Sequence, residues 1–303
     1  MSRSTPISRR QWLKQGGAAF VAATCAPSLS VTLAAEESAS RPLRLVTRAD
    51  DLGCAQALNE ATLECVKQGI AKNVSVLAPT PYVEEAAEMF RGVDGVCFGL
   101  HSALNSEWTS RRWGPVAPKD KVRSLMAEDG SLHQYPQDLR TVDPDEALIE
   151  FSAQLNRARK LGFDIRYVDS HMGAINNVPG LADKFRAWCD SEKVIDYRRL
   201  DAQRLPMEYD QQLPDNRLPP NYPQAFLAAL QSAPRQQTYL VVSHPGYENE
   251  EIQSLGHRGY PGDAVANNLN LQRRMFTDAD IVEYCQTGAV ELLRYDDVVN
   301  GKV

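Results

Sequence analysis

Leu43-Arg44-Leu45-Val46-Thr47-Arg48-Ala49-Asp50-Asp51-Leu52-Gly53 is the stretch on which the fold turns. Leu43–Thr47 is aliphatic and β-branched and reads as a strand. The acids and Gly53 that follow read as its end and a turn. Ala55–Gln68 then places Leu58, Ala61, Cys65 and Val66 on one helix face.

The same strand-then-helix unit recurs along the chain. Val74–Ala78 reads as a strand and Tyr82–Phe90 as a helix. Gly95–Leu100 and Ile165–Val168 are further strands, the second leading into a helix over Leu181–Ser191. Asp143-Pro144-Asp145-Glu146 is a helix start, with Asp at the N-cap, Pro at N1 and Glu at N3. That helix runs to Leu161, where Gly162 stops it. Tyr239–Ser243 is a strand, Asp278–Gln286 a helix capped by Thr277, and Ala289–Arg294 a final strand. Residues 105–142 hold scattered Pro, Gly and Trp without a sustained period, and Pro206–Pro223 is a second long loop. Loops of that length in a compact domain are usually functional. The alternation predicts a single α/β domain with a parallel sheet, open or closed into a barrel.

Four of these strands lead into chemically apt residues: Asp50-Asp51, His101, Asp169-Ser170-His171 and His244. In parallel α/β sheets the carboxyl ends of the strands open on one face, where ligands bind. Taken singly, Asp50-Asp51 before Gly53 is a common turn, and a lone His after a strand is a common rim residue. Together, one Asp and two His form a standard ligand set for a divalent ion. Asp169, beside His171, fits a partner that orients an imidazole. His133 and His257 lie in irregular segments and read as surface or loop residues. Adjacent carboxylates resist double ionisation unless a cation lies between them, which also favours a bound metal.

Composition narrows the function. The chain has 303 residues and a net charge of −6, and residues 1–35 carry only basic charges, so without them the balance is −10. Nucleic-acid binding needs a basic footprint, which is missing. Ser8-Arg9-Arg10-Gln11-Trp12-Leu13-Lys14 resembles a twin-arginine export motif, and Gly16–Ala35 is apolar and rich in small residues. Residues 1–35 are therefore expected to be a signal peptide handled by the twin-arginine machinery, leaving 36–303 as a periplasmic or secreted catalytic domain. Cys25 fits a lipid-attachment site poorly, because Ala22-Ala23-Thr24 lacks the usual Leu. Beyond that leader no segment approaches the roughly 20 apolar residues of a membrane span. Cys54, Cys65, Cys97, Cys189 and Cys285 form no CxxC pair and read as buried small hydrophobes.

Four segments, in order, carry a family resemblance. Arg48-Ala49-Asp50-Asp51-Leu52-Gly53 with Asn59-Glu60-Ala61 resembles an opening "N-A-D-D-F-G…N-E-A" motif. Gly99-Leu100-His101-Ser102-Ala103-Leu104 resembles "G-L-H-L-T-L", Val168-Asp169-Ser170-His171 resembles "D-S-H", and His244-Pro245-Gly246 a late "H-P-G". Ser106-Glu107-Trp108 with Arg112-Trp113-Gly114-Pro115 is similar to one branch of the same family. The chain from about Leu43 to Arg294 thus resembles the YdjC-like (ChbG-type) carbohydrate deacetylases.

The resemblance implies a distorted (β/α) barrel related to polysaccharide deacetylases and one divalent metal ion, Mg²⁺ or Zn²⁺. It implies Asp51, His101 and His171 as ligands, Asp50 as general base, His244 as general acid, and an acetylated oligosaccharide as substrate. The chain departs from the family at Gly173, where many members carry a second His. It departs also at Arg48, where Asn is usual, and at Ser102-Ala103, where Leu-Thr is usual. Trp108, Trp113 and Tyr135 fit equally a stacking platform for sugar rings or ordinary loop packing, and Arg111-Arg112 a contact to substrate. Other classes explain less. A phosphoesterase would want a basic pocket, a two-carboxylate glycosidase leaves the histidines idle, and an inactive carbohydrate-binding protein would not need the intact Asp and His set.

Overall fold

A parallel strand covered on both faces is buried along its length, and β1, Leu43–Leu52, is buried at every position except the half-buried Arg44. The structure is a computed structural model and describes residues 41–208 and 213–299. The proposed leader, residues 1–35 with Cys25, lies outside the described residues. In chain order β1 is followed by α1 (Gln56–Lys67), β2 (Asn73–Val76), α2 (Val83–Met89) and β3 (Cys97–Ser102). Then come α3 (Pro144–Lys160), β4 (Ile165–Ser170), α4 (Leu181–Glu192), β5 (Ile195–Asp196) and β6 (Gln203–Arg204). The last third holds α5 (Tyr222–Ser232), β7 (Thr238–Ser243), α6 (Glu250–Gln253), α7 (Gly262–Thr277), α8 (Ala279–Tyr284), β8 (Val290–Leu293) and α9 (Tyr295–Val299).

All strand pairings are parallel, in the order β5-β4-β3-β2-β1-β7-β6. β1 is long enough to serve two partners on one edge: β8 pairs with Leu43–Val46, and β2 pairs from Arg48 to Leu52. Asn73 sits where one partner gives way to the other. Its amide donates to the carbonyls of Thr47 and Leu293 and accepts from the backbone of Tyr295. Among the described residues no ladder joins β5 to β6, so the curled sheet is a distorted barrel left open at that seam.

Two hydrophobic clusters pack outside the sheet, one beneath α1–α4 and one beneath α5, α7 and α8. A smaller cluster fills the inside with Val46, Cys97, Tyr167, Leu293 and Tyr295. Tyr167 and Tyr295 stack with ring centres 4.1 Å apart. Gly99 makes room for them, since a Cβ there would lie 2.2 Å from the Tyr167 ring. The cysteines from Cys54 onward are buried and free, as expected. No helix among the described residues is long and apolar enough to cross a membrane.

The 105–142 stretch holds only short 3₁₀ turns, as its composition predicts, and it is anchored by α3. The buried Glu150 carboxylate accepts from the backbone of Val116 and Ala117, both at 2.9 Å. The Asp143 cap accepts from the Asp145 amide. At α8 the expected cap is corrected: Asp278, not Thr277, accepts from the Asp280 amide, while Thr277 ends α7. Helices α5 and α7 carry apolar faces that the sequence reading left unassigned.

Candidate active site

Successive side chains of a strand point to opposite faces, so adjacent acids on β1 should not share a site. They share one because β1 is irregular there: its register against β2 shifts between Ala49 and Leu52, and Asp51 takes a left-handed φ of 66°. Such irregularities re-aim side chains beside active sites. The turn is fixed next by Gly53, at φ 104°, where a Cβ would crowd Thr80 and Val83. Asn59 of α1 accepts from the Gly53 amide at 2.8 Å and donates to the Tyr82 carbonyl at 3.0 Å.

Asp50 and Asp51 line a cavity of about 610 Å³ with His101 from the end of β3, His171 just after β4 and His244 just after β7. The expected set is therefore brought together, although Asp50, Asp51 and His101 stand inside the strands and not after them. Asp51 Oδ1 lies 3.3 Å from His101 Nε2 and 3.4 Å from His171 Nδ1. It is buried, and neither ring nitrogen meets it in hydrogen-bond alignment. Ligand atoms each about 2.0–2.1 Å from one tetrahedral ion stand roughly 3.3–3.4 Å apart, so these separations fit a shared cation.

The outer nitrogen of each imidazole has its own carboxylate. His101 Nδ1 donates to Asp169 Oδ2 at 2.9 Å, and His171 Nε2 donates to Glu107 Oε2 at 2.9 Å. These bonds turn the remaining nitrogens, His101 Nε2 and His171 Nδ1, toward Asp51, as the partners of metal-bound histidines do. Asp169 is thus an orienting group as expected, with His101 as the ring it serves.

The electrostatics also call for a cation. Burial works to raise the Asp51 carboxyl, but the two imidazoles outweigh it and hold it well below the usual carboxylate range. Burial works against the charge on His171, yet Glu107 and Asp51 push it up to about 9. For His101 burial is likewise overcome, chiefly by Asp169 and Asp50, and the ring is held well above its ordinary value. Without an ion, protons on the rings supply the positive charge that the carboxylates demand.

A second buried grouping, Asp50, His101 and Asp169, also has ligand-like spacing. Its cation is already present: Arg48 donates to both Asp50 oxygens, at 2.7 and 2.8 Å, and reaches Asp169 Oδ2 at 2.9 Å. The adjacent acids alone therefore do not require a metal, contrary to the reading from their spacing, because the guanidinium neutralises Asp50.

His244 is half-buried and bonds a neutral partner, its Nδ1 lying 3.1 Å from Gln272 Oε1. The aromatic platform takes a different form from the one expected. Trp108 lines the cavity, but Trp113 is buried against His171. Tyr135 instead packs on His257, which also meets Trp108 and Tyr260 at ring distances of 5.6 to 5.8 Å. His257 lies in a loop, as expected, but half-buried as a wall of the cavity, because Thr109 and Arg111 bind that loop and the helix before it to the insertion through Gly256 and Glu251. Arg111 and Arg112 are not in the cavity lining. Arg111 pairs with Glu251 and lies over Tyr82, and Arg112 donates to the Leu132 carbonyl. Glu107 and His257 were missed as site residues; Glu107 lay inside the quoted Ser106-Glu107-Trp108 motif, which was the available signal.

Comparison with known proteins places these features in context. The family model for YdjC-like proteins matches residues 44–287. A carbohydrate deacetylase of Thermoanaerobacter pseudethanolicus is 25% identical, over 83% of this chain and 97% of that protein. One from Clostridium beijerinckii is 20% identical, over 84% of this chain and the whole of that protein. A solved structure from Enterococcus faecalis V583, whose name proposes cellobiose-phosphate cleavage, has the same fold. Its TM-score is 0.67 at 20% identity, with 84% of this chain and 98% of that one covered.

Proposed function

We propose that this chain, which belongs to the YdjC-like family, is a metal-dependent carbohydrate deacetylase that hydrolyses N-acetyl groups on oligosaccharides. The observation that carries the reading is the buried Asp51 Oδ1, without an aligned donor and flanked by His101 Nε2 and His171 Nδ1. Relatives that align along most of their length are carbohydrate deacetylases, which supports the substrate class. One Asp and two His suit Zn²⁺ or Mg²⁺.

A divalent ion held by Asp51, His101 and His171 would polarise the acetyl carbonyl and lower the pKa of a water. The residues of the chain do the rest. Asp169 and Glu107 keep the two imidazoles in the ligand orientation. Asp50, on the same cavity wall, accepts the proton of the attacking water through the lone pairs that Arg48 leaves unused. His244 delivers a proton from Nε2 to the departing amine, its Nδ1 being directed at Gln272. Trp108, His257 and Tyr260 offer ring faces and polar edges to the sugar. The basic Ser8–Lys14 motif and apolar leader support export through the twin-arginine machinery to the periplasm or beyond.

The test is acetate release from a panel of N-acetylated oligosaccharides, with and without chelator. Zn²⁺- or Mg²⁺-restored release is expected. Protein that retains no divalent ion and releases no acetate from any member would defeat the reading in favour of an exported carbohydrate-binding protein. A phosphoesterase loses the support of Arg111 and Arg112, both engaged elsewhere.

A further inference from the structure

Arg48 has no step of its own in this chemistry, yet it is the most heavily bonded side chain beneath the site. It is buried and absent from the cavity lining. Nε donates to Asp50 Oδ1, Nη2 reaches both Asp50 Oδ2 and Asp169 Oδ2, and Nη1 donates to the Tyr295 hydroxyl at 2.9 Å. The ring of Tyr295 is itself clamped against Tyr167, whose hydroxyl bonds Ser75 at 2.8 Å. The guanidinium therefore has a fixed seat in the barrel interior.

One guanidinium spans two functions. Asp50 is the base, and Asp169 is the carboxylate that sets His101. Asp169 Oδ2 receives Arg48 Nη2 and His101 Nδ1 together, both at 2.9 Å. A forked donor fixes the plane of a carboxylate, which an ammonium does not do. A carboxylate has about four lone-pair sites, so the fork leaves each Asp50 oxygen a lone pair free.

We propose that Arg48 is a positioning residue that holds the base Asp50 and, through Asp169, the metal-ligand ring of His101 in register with each other. Its effect on turnover rests on the proposed role of Asp50, whereas its effect on metal binding does not.

Two measurements separate those arms: Zn²⁺ affinity by chelator competition, and kcat and KM for acetate release from tri-N-acetylchitotriose. In Arg48→Met, Zn²⁺ affinity falls about tenfold, as for other groups that orient ligands. The kcat falls about 100-fold while KM stays within about threefold, the loss of a positioned base. In the Asp50→Asn background the same substitution lowers kcat by less than about threefold, because residues acting as one unit are non-additive. Should Arg48→Met not fold, Arg48→Lys decides: charge is kept, so Zn²⁺ affinity holds within about threefold, but the lost fork still lowers kcat more than about tenfold. Wild-type kcat in Arg48→Lys, or a full further loss in the Asp50→Asn background, overturns the proposal. If wild-type protein binds Zn²⁺ but releases no acetate, the deacetylase reading fails. The Zn²⁺ arm then decides alone, and unchanged affinity in Arg48→Met overturns the proposal.

Discussion

The side of the cavity built by β1, β3 and β4 differs from the side built by β6, β7 and the segment after β7. On the first, Asp50, Asp51, His101, His171, Glu107 and Asp169 are all buried, and short charge-assisted bonds fix the imidazoles and Asp50. On the second, half-buried His244 rests on an amide, Arg204 is exposed, and His257 is held by ring contacts. The first side is organised before any ligand arrives, whereas catalytic bonds left loose tighten when substrate fills the site. The Asp51, His101 and His171 cluster is thus part of the fold, whereas the wall carrying His244 and His257 is the one left to tighten around a ligand.

The largest break of this comparison is Asp51→Ala. It should abolish both metal retention and turnover, read as Zn²⁺ per chain and acetate release. Retention of most metal-dependent activity would remove Asp51 from the ligand set.

Next comes a contrast between the two sides. Asp50→Asn should lower kcat by about 10²–10⁴-fold, and His244→Gln by about 10²-fold, the low end of general acid–base contributions. Neither should release the metal. A larger loss in His244→Gln than in Asp50→Asn would invert the ranking of the two walls.

Glu107→Gln should weaken Zn²⁺ binding by about 10–100-fold, seen in chelator competition. An unchanged affinity would mean that His171 needs no partner to face Asp51.

The smallest effect is on pH dependence. The His171 ring is raised from 6.5 to about 9 in the metal-free fold. Its contribution to stability is therefore complete below pH 6.5 and is lost as pH rises through 9. Thermal unfolding in chelator should show that decline, while Zn²⁺ affinity tightens over the same window as ring protons leave. A metal-free melting temperature that rises from pH 6.5 to 9 would contradict the charged ring.

Much of the first side was legible. Strand periodicity placed Asp50-Asp51, His101, His171 and His244 at one rim, and a parallel sheet obliged them to meet. Arg48 read only as a departure from a motif, because its partners Asp169 and Tyr295 are distant in sequence. His257 read as a loop residue because nothing in its neighbourhood signals that Thr109 and Arg111 bind its loop over the cavity. Helix α5 escaped notice beside the Pro-rich loop and α7 after Pro261, since neither has a start signal as clear as Asp143-Pro144.

What the sequence determines by itself is the set of strand-end residues, since period and direction of parallel strands decide which rim they occupy. Which nitrogen of each ring faces Asp51, which carboxylate turns it, and which cation neutralises Asp50 are decided only in the tertiary structure. Those choices depend on bonds a few ångströms long between residues such as His171 and Glu107, 64 positions apart. Spacing along the chain carries no record of such contacts, whereas burial makes each of them obligatory once the barrel curls.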